Sequence, residues 1–332
     1  MPWPRDSVGS DPRNVLFPAN RNHWERRGRM NYVEYPISVD AKASAKEETG
    51  ILRCFRSPPP LSDIVEAIWD CDIPDASFAK SLIVKCAPGA SLQLVGQYRR
   101  PAAISQRDKP LPPKFATHIQ SHAVTFRPTG AFGILIVSLR SDAASRIFHA
   151  SLGEFSNANL YLGELFTAWE LAMCGEMLAT AQTSEERVAG VQTFLLRRLR
   201  PYTDSLANRA ACYLRESPTI QMSSLAARLG TSSRNLSRTF SDAFGLSPKR
   251  FARLARFQKI LAERRLGRTW AQIANACGLT DQAHLIDEFH DLVGEAPTDF
   301  FAQELGLRAS GMDEVNLIIQ RAAPVARSIT AN

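Results

Sequence analysis

The sequence predicts an α+β chain of two domains: a mainly antiparallel β domain with helices following it, then an all-α domain of two helix-turn-helix units joined by a long helix. Three observations predict it. Apolar residues come in short runs divided by proline and glycine between Asn31 and Ser138, and at helical spacing from Gly163 onward. The last third of the chain holds one helical pattern twice. The 332 residues, 45% of them apolar, are enough to bury two cores.

Residues 1–30 carry prolines and six arginines with few apolar anchors, and read as a disordered basic leader. A domain over 31–200 follows. Its strand candidates are Ile64 to Trp69, Ser81 to Cys86, Ser91 to Val95, Ala123 to Phe126 and Ile134 to Leu139, punctuated by Pro58-Pro59-Pro60, Pro88-Gly89 and Pro112-Pro113. An antiparallel sheet or small barrel over about 31–140 is expected. Helices are expected over about 142–200: Leu165, Trp169, Ala172, Met173, Glu176 and Met177 follow a helix repeat, and Thr183-x-x-Glu186 caps a second helix ending before Pro201. This helix pair either pairs with a second copy of the chain, giving a homodimer, or covers the sheet. Pro201 to Asp204 reads as a linker, 205–303 as the all-α domain and 304–332 as a tail.

The repeat rests on three anchors in one register: Phe240 and Phe289, Gly245 and Gly294, and Pro248 and Pro297 are each 49 residues apart. Ala226 and Ala274 are small where a first helix lies close to a second, and Gly230 and Gly278 stand where the chain turns with positive φ. Ser232 and Thr280 are the expected N-caps. Leu236 with Phe240, and Leu285 with Phe289, share the buried face of each second helix, leaving the opposite face free to enter a groove. Thr269-x-x-Gln272 is a capping box for the helix that opens the second copy. Between the copies, Pro248 to Leu266 has no breaker, and Phe251, Leu254, Phe257, Ile260 and Leu261 recur at helical spacing. That helix would span about 27 Å, close to the ~34 Å between successive grooves on one DNA face.

These residues carry a resemblance. Arg234 to Phe240, Gly245 to Phe251, Arg253, Arg256 and Ile273 to Leu285 are similar to the AraC family of bacterial transcription regulators, over about Asp204 to Gln303. The resemblance implies two units binding successive major grooves of double-stranded DNA. Leu61 to Asp70 and the stretch from Phe132 through Leu165 to Leu199 resemble the N-terminal module of one branch of that family, which implies a regulatory domain for a small-molecule effector or for pairing.

Charge separates the two units. Ser205 to Arg268 holds 13 Lys and Arg against 3 Asp and Glu, whereas Thr269 to Gln303 holds no Lys or Arg and 6 acids. The first unit and the linking helix are therefore expected to supply the phosphate attraction that drives most DNA affinity. In the first recognition helix, capped by Ser232, the outward positions are Ser233, Arg234, Ser237 and Arg238, with Arg234 or Arg238 the base reader because arginine bonds guanine O6 and N7 together. Asn235 suits either adenine or the DNA backbone. Lys249, Arg250, Arg253 and Arg256 are expected to hold phosphates. In the second unit only Thr280, Asp281, Gln282 and His284 remain as contacts. Asp287 and His290 stand where the family commonly has a basic or neutral residue, so the acidic face is equally suited to RNA polymerase or a partner regulator.

Other classes find little support. His118-x-x-x-His122 lacks the glutamate of a zinc peptidase, and the chain has no phosphate-cradling glycine loop and no nucleophile elbow. Cys54, Cys71, Cys86, Cys174, Cys212 and Cys277 are scattered, which suits reduced thiols in a cytoplasm and no metal site. No catalytic residue and no cofactor is expected. A catalytic N-terminal domain targeted to DNA, and an adaptor whose acidic unit binds protein, are the rival readings. The longest apolar run, Ala131 to Leu139, is too short to span a membrane. The net charge of +7 suits a polyanionic partner.

Overall fold

The computed structural model describes residues 32–37, 50–76, 82–86, 88–99, 104–106, 109–117, 119–148, 159–304, 309–310 and 314–319, with single positions besides. The expected leader, 1–30, and His118 lie outside the described residues. The strands in chain order are β1 (Tyr32–Ile37), β2 (Gly50–Phe55), β3 (Val65–Ile73), β4 (Leu82–Cys86), β5 (Ser91–Gln97), β6 (Ile104–Gln106) and β7 (Lys109–Pro110). They continue as β8 (Lys114–Thr117), β9 (Val124–Pro128), β10 (Phe132–Arg140), β11 (Asn159–Tyr161), β12 (Ala309–Ser310) and β13 (Glu314–Ile319). One sheet has the order β1-β2-β3-β10-β5-β8-β11 and a second the order β12-β13-β4-β9-β6-β7. Pairings are antiparallel except β13 with β4, where Val315 stands opposite Leu82. The stretch expected as a tail thus adds two strands; the apolar alternation of Val315, Leu317 and Ile319 is the signal for it.

β5 shows how the sheet divides its two faces. Leu92 and Leu94 join the core under the helices, while Val95 joins the core shared with Phe126 of the second sheet. The helices are α1 (Ser141–Ala144), α2 (Ala168–Thr180) and α3 (Ser184–Arg198). Capping boxes start α2 at Thr167 with Glu170 and α3 at Thr183 with Glu186. Both helices cover the sheet through Leu171, Leu178, Val188, Val191 and Leu195. The face expected to be apolar on α2 is not the buried one: Trp169 is 67% and Met173 47% exposed, whereas Leu171 and Leu178 point inward.

Residues 199–205 carry no helix or strand. Arg200 and Arg146 exchange backbone and side-chain bonds of 3.0 and 2.8 Å, holding this linker to the sheet domain. Beyond it come α4 (Leu206–Glu216), α5 (Met222–Arg228), α6 (Ser233–Phe244), α7 (Pro248–Arg265), α8 (Trp270–Ala276), α9 (Gln282–Val293) and α10 (Pro297–Glu304). One core unites them, with Leu225, Ala226, Leu236 and Phe240 from the first copy, and Ile273, Ala274, Leu285 and Phe289 from the second.

The sheet domain is seated on this core. Ala90 and Ile119 belong to it, Gln258 donates to the Pro88 carbonyl at 2.6 Å, and the Ala123 N–H donates to the Leu292 carbonyl at 3.1 Å. Asp142 of α1 is the charged part of the seam: it is buried and pairs with Arg140, Arg215 and the Cys212 thiol. Burial pushes the Asp142 carboxyl up, but Arg215 and Arg140 outweigh it and hold it down at about 2. Burial, and then the neighbouring carboxylate, push the Cys212 thiol up to about 11.

Candidate nucleic-acid interface

Each recognition helix is built by the same local chemistry. In the first unit α5 ends into Gly230, whose φ of 66° suits glycine, and Ser232 caps α6 by accepting the Asn235 N–H at 3.2 Å. In the second, Gly278 has a φ of 67° and a Cβ there would meet Thr219 at 2.5 Å. The cap of α9 is Asp281, which accepts the His284 N–H at 2.8 Å, and not Thr280 as the sequence suggested. The reason is one extra residue in the second turn. Gly230 and Gly278 are 48 apart while the phenylalanines are 49 apart, so the equivalent of Ser232 is Asp281. Left-handed C-caps at Gly245 and Gly294 close both helices.

The linking helix α7 holds both units by aromatic contacts. Phe251 meets Phe240 at a centroid distance of 5.3 Å, and Phe257 meets Phe289 at 5.0 Å. Six residues of helix turn these two anchors about 120° apart, so α7 presents a different side to each unit. Its expected apolar positions Phe251, Leu254, Phe257, Ile260 and Leu261 are all fully buried.

On α6, Ser233, Arg234, Ser237 and Arg238 are exposed side by side. Arg234 has no protein partner among the described residues. Asn235 is half-buried and forms a bracket: its Nδ2 donates to Thr231 Oγ1 at 2.9 Å and its Oδ1 accepts Arg238 Nη2 at 3.1 Å. This chain of bonds orients the Arg238 guanidinium from behind. Asn235 thus serves Arg238, a use the sequence did not reveal.

The four linker cations are not alike. Lys249 is exposed, and Arg250 contacts His122 of the sheet domain at 3.3 Å. Arg253 and Arg256 turn to the second unit: Arg256 pairs with Glu288 at 2.8 Å, and Arg253 with Asp291 at 2.9 Å and Glu288 at 3.3 Å. Glu288, absent from the residues singled out in the sequence, is the centre of this group. Its signal is a matching pitch, since Arg253 and Arg256 stand three apart, as do Glu288 and Asp291.

On α9, Thr280, Asp281, Gln282 and His284 are all exposed. Asp281 is occupied by the cap, and Thr280 Oγ1 lies 3.5 Å from His284 Nδ1. Asp287 is exposed with no protein partner among the described residues. Among the described residues no group of three or more His, Cys, Asp or Glu is placed to hold a metal ion, and no helix is long and apolar enough to cross a membrane.

Comparison with known proteins agrees with this geometry. Residues 225–303 match the family model of a helix-turn-helix domain. The chain is similar to a crystal structure of fatty acid-bound ToxT from Vibrio cholerae, at 11% identity and a TM-score of 0.38, over 66% of this chain and 92% of that one. An apo variant of ToxT from the same organism gives 11% identity and 0.41, over 70% and 95%. The AraC-like transcriptional activator CuxR gives 16% identity and 0.27, over 73% and 88%. No curated protein matches. With TM-scores this low, the assignment rests on the matched domain and on its two capped units. Residues 225–303 are an AraC-type helix-turn-helix domain, and the chain that carries it is a DNA-binding transcription regulator.

Proposed function

We propose that the first unit reads bases through Arg234 and Arg238 while the second places Thr280, Gln282 and His284 in the neighbouring major groove. The two half-sites then lie about one helical turn apart. The observation that carries this reading is the Thr231–Asn235–Arg238 bracket, which aims one arginine outward beside the exposed Arg234. A pre-oriented arginine loses less conformational freedom on binding a guanine edge. Ser233, Ser237, Lys249 and Arg250 serve the flanking backbone, with Lys249 a phosphate ligand. Asp281 contributes through the cap. Selection from a random DNA pool tests this: the full-length protein should recover two half-sites, and Arg238→Ala should lose the consensus in one of them only. Recovery of a single half-site by the unaltered protein would contradict a two-unit reader.

The sheet domain is proposed as the site of a small-molecule effector. Its support is polar atoms buried beside the core between the sheets: Ser138 Oγ and Gln97 Nε2 have no hydrogen-bond partner among the described residues, and Thr117 bonds Gln93 at only 3.4 Å. Addition of an effector should raise the melting temperature, and raise it further with the logarithm of its concentration above Kd, and Ser138→Ala should weaken that response. The exposed Trp169 and Met173 are the face on which a homodimer would form, and the unpartnered Asp287 the one acid of α9 best placed to meet RNA polymerase.

A further inference from the structure

The second unit has six acids and no Lys or Arg, yet one of its acids is buried. Glu288 on α9 has 3% side-chain exposure. A carboxylate removed from water requires compensation at both oxygens. Arg256 gives it as a fork, Nε to Oε2 at 3.1 Å and Nη2 to Oε1 at 2.8 Å. Arg253 adds Nε at 3.3 Å from Oε1 and reaches Asp291 with Nη2 at 2.9 Å. Further along α7, Lys259 Nζ donates to the Ala276 carbonyl at the end of α8, at 2.7 Å. Three cations spaced three residues apart therefore fasten the linking helix to the second unit.

Two uses of Arg253 and Arg256 make opposite predictions. If they serve DNA phosphates, Glu288 competes with the DNA and its removal strengthens binding. If they serve Glu288, removing either side weakens binding. The geometry favours the second use. A two-point fork resists rotation as well as separation, and a pair whose acid is buried loses far more on being broken than a surface pair does.

We propose that Glu288 is a positioning residue for DNA binding: by clamping Arg256 and Arg253 it fixes the angle between α7 and α9, and with it the spacing of the two recognition helices. This rests on the reading that both units engage DNA. The clamp also removes two cations from the phosphate count and neutralises part of the acidic unit, which eases its approach to DNA.

The test uses the full-length protein on two DNA duplexes, one with the half-sites at the selected spacing and one with two base pairs inserted between them. The unaltered protein should prefer the first by on the order of tenfold or more, because the inserted pairs rotate the second groove away. Glu288→Gln should bring that ratio towards one while binding to the first half-site alone stays unchanged. Glu288→Gln combined with Arg256→Ala should be no worse than either alone. Arg256→Lys, which keeps the charge but not the fork, reports on the clamp without leaving the buried acid unpaired, and should give an intermediate ratio. Thermal melting identifies any variant that fails to fold, and Arg256→Lys then decides. Retention of the full spacing preference by Glu288→Gln or Arg256→Lys, or tighter binding by Glu288→Ala, would overturn the clamp. A lack of spacing preference in the unaltered protein would overturn the two-unit reading instead.

Discussion

In the first unit the turn runs Gly230-Thr231-Ser232, and the helix it starts shows two arginines to solvent; in the second it runs Gly278-Leu279-Thr280-Asp281, and the helix shows none. Both turns use a left-handed glycine and both helices a side-chain cap. The scaffold is therefore repeated while the electrostatics are reversed. The difference is made good by the linking helix, whose Arg253 and Arg256 are given to Glu288 and Asp291 rather than left free. A strongly basic linker in sequence is thus, in space, divided between an exposed Lys249, proposed above as a phosphate ligand, and the paired Arg253 and Arg256.

The largest expected effect tests whether the scaffolds are equivalent. Phe240→Ala and Phe289→Ala each remove a fully buried ring from one core and should each cost about 3–5 kcal/mol in chemical denaturation. A large loss at one and none at the other would break the equivalence. Next comes the reading of bases: Arg238→Ala should weaken specific binding by about 1–3 kcal/mol in a gel-shift titration, and Gln282→Ala by less. Equal losses would remove the asymmetry. Cap removal is smaller, with Ser232→Ala and Asp281→Ala each expected to cost about 1 kcal/mol of stability. Thr280→Ala should leave stability unchanged, which sharpens the assignment of the longer turn.

The last effect is silent at neutral pH. Asp142 joins the sheet domain to α4 beside the first unit, and its carboxyl is depressed to about 2. A depressed acid contributes fully above its ordinary value near 3.8 and loses that contribution as pH falls through about 2. Limited proteolysis at the 199–205 linker should therefore accelerate between pH 4 and 2. The second unit meets the sheet domain through a backbone bond from Ala123 to Leu292, which does not titrate. Asp142→Asn should abolish the pH step; an unaltered step would assign it elsewhere.

Much of this fold is legible in the sequence because local rules act alone there. Thr269 with Gln272 and Thr183 with Glu186 form the capping boxes that their spacing announces, and the apolar positions of α7 are all buried. Thr280 misled because threonine and aspartate adjoin and only the register of Phe289 decides between them. The apolar repeat of α2 misled because Trp169 and Met173 match a helical period without facing the core. β12 and β13 went unseen because a strand at the chain end is defined by its distant partner β4. At the candidate interface the outward arginines of α6 follow from periodicity, but the Glu288 clamp joins residues on separate helices. Only complementary charge at matching pitch hints at it.

The division of the linker cations is tested most directly by the salt dependence of operator binding. Lys249→Ala should reduce the slope of log K against log salt by about 0.9, the release of one phosphate counterion, while Arg256→Ala should weaken binding with the slope unchanged. A reduction by about 0.9 for Arg256→Ala as well would make it a phosphate ligand and contradict the clamp.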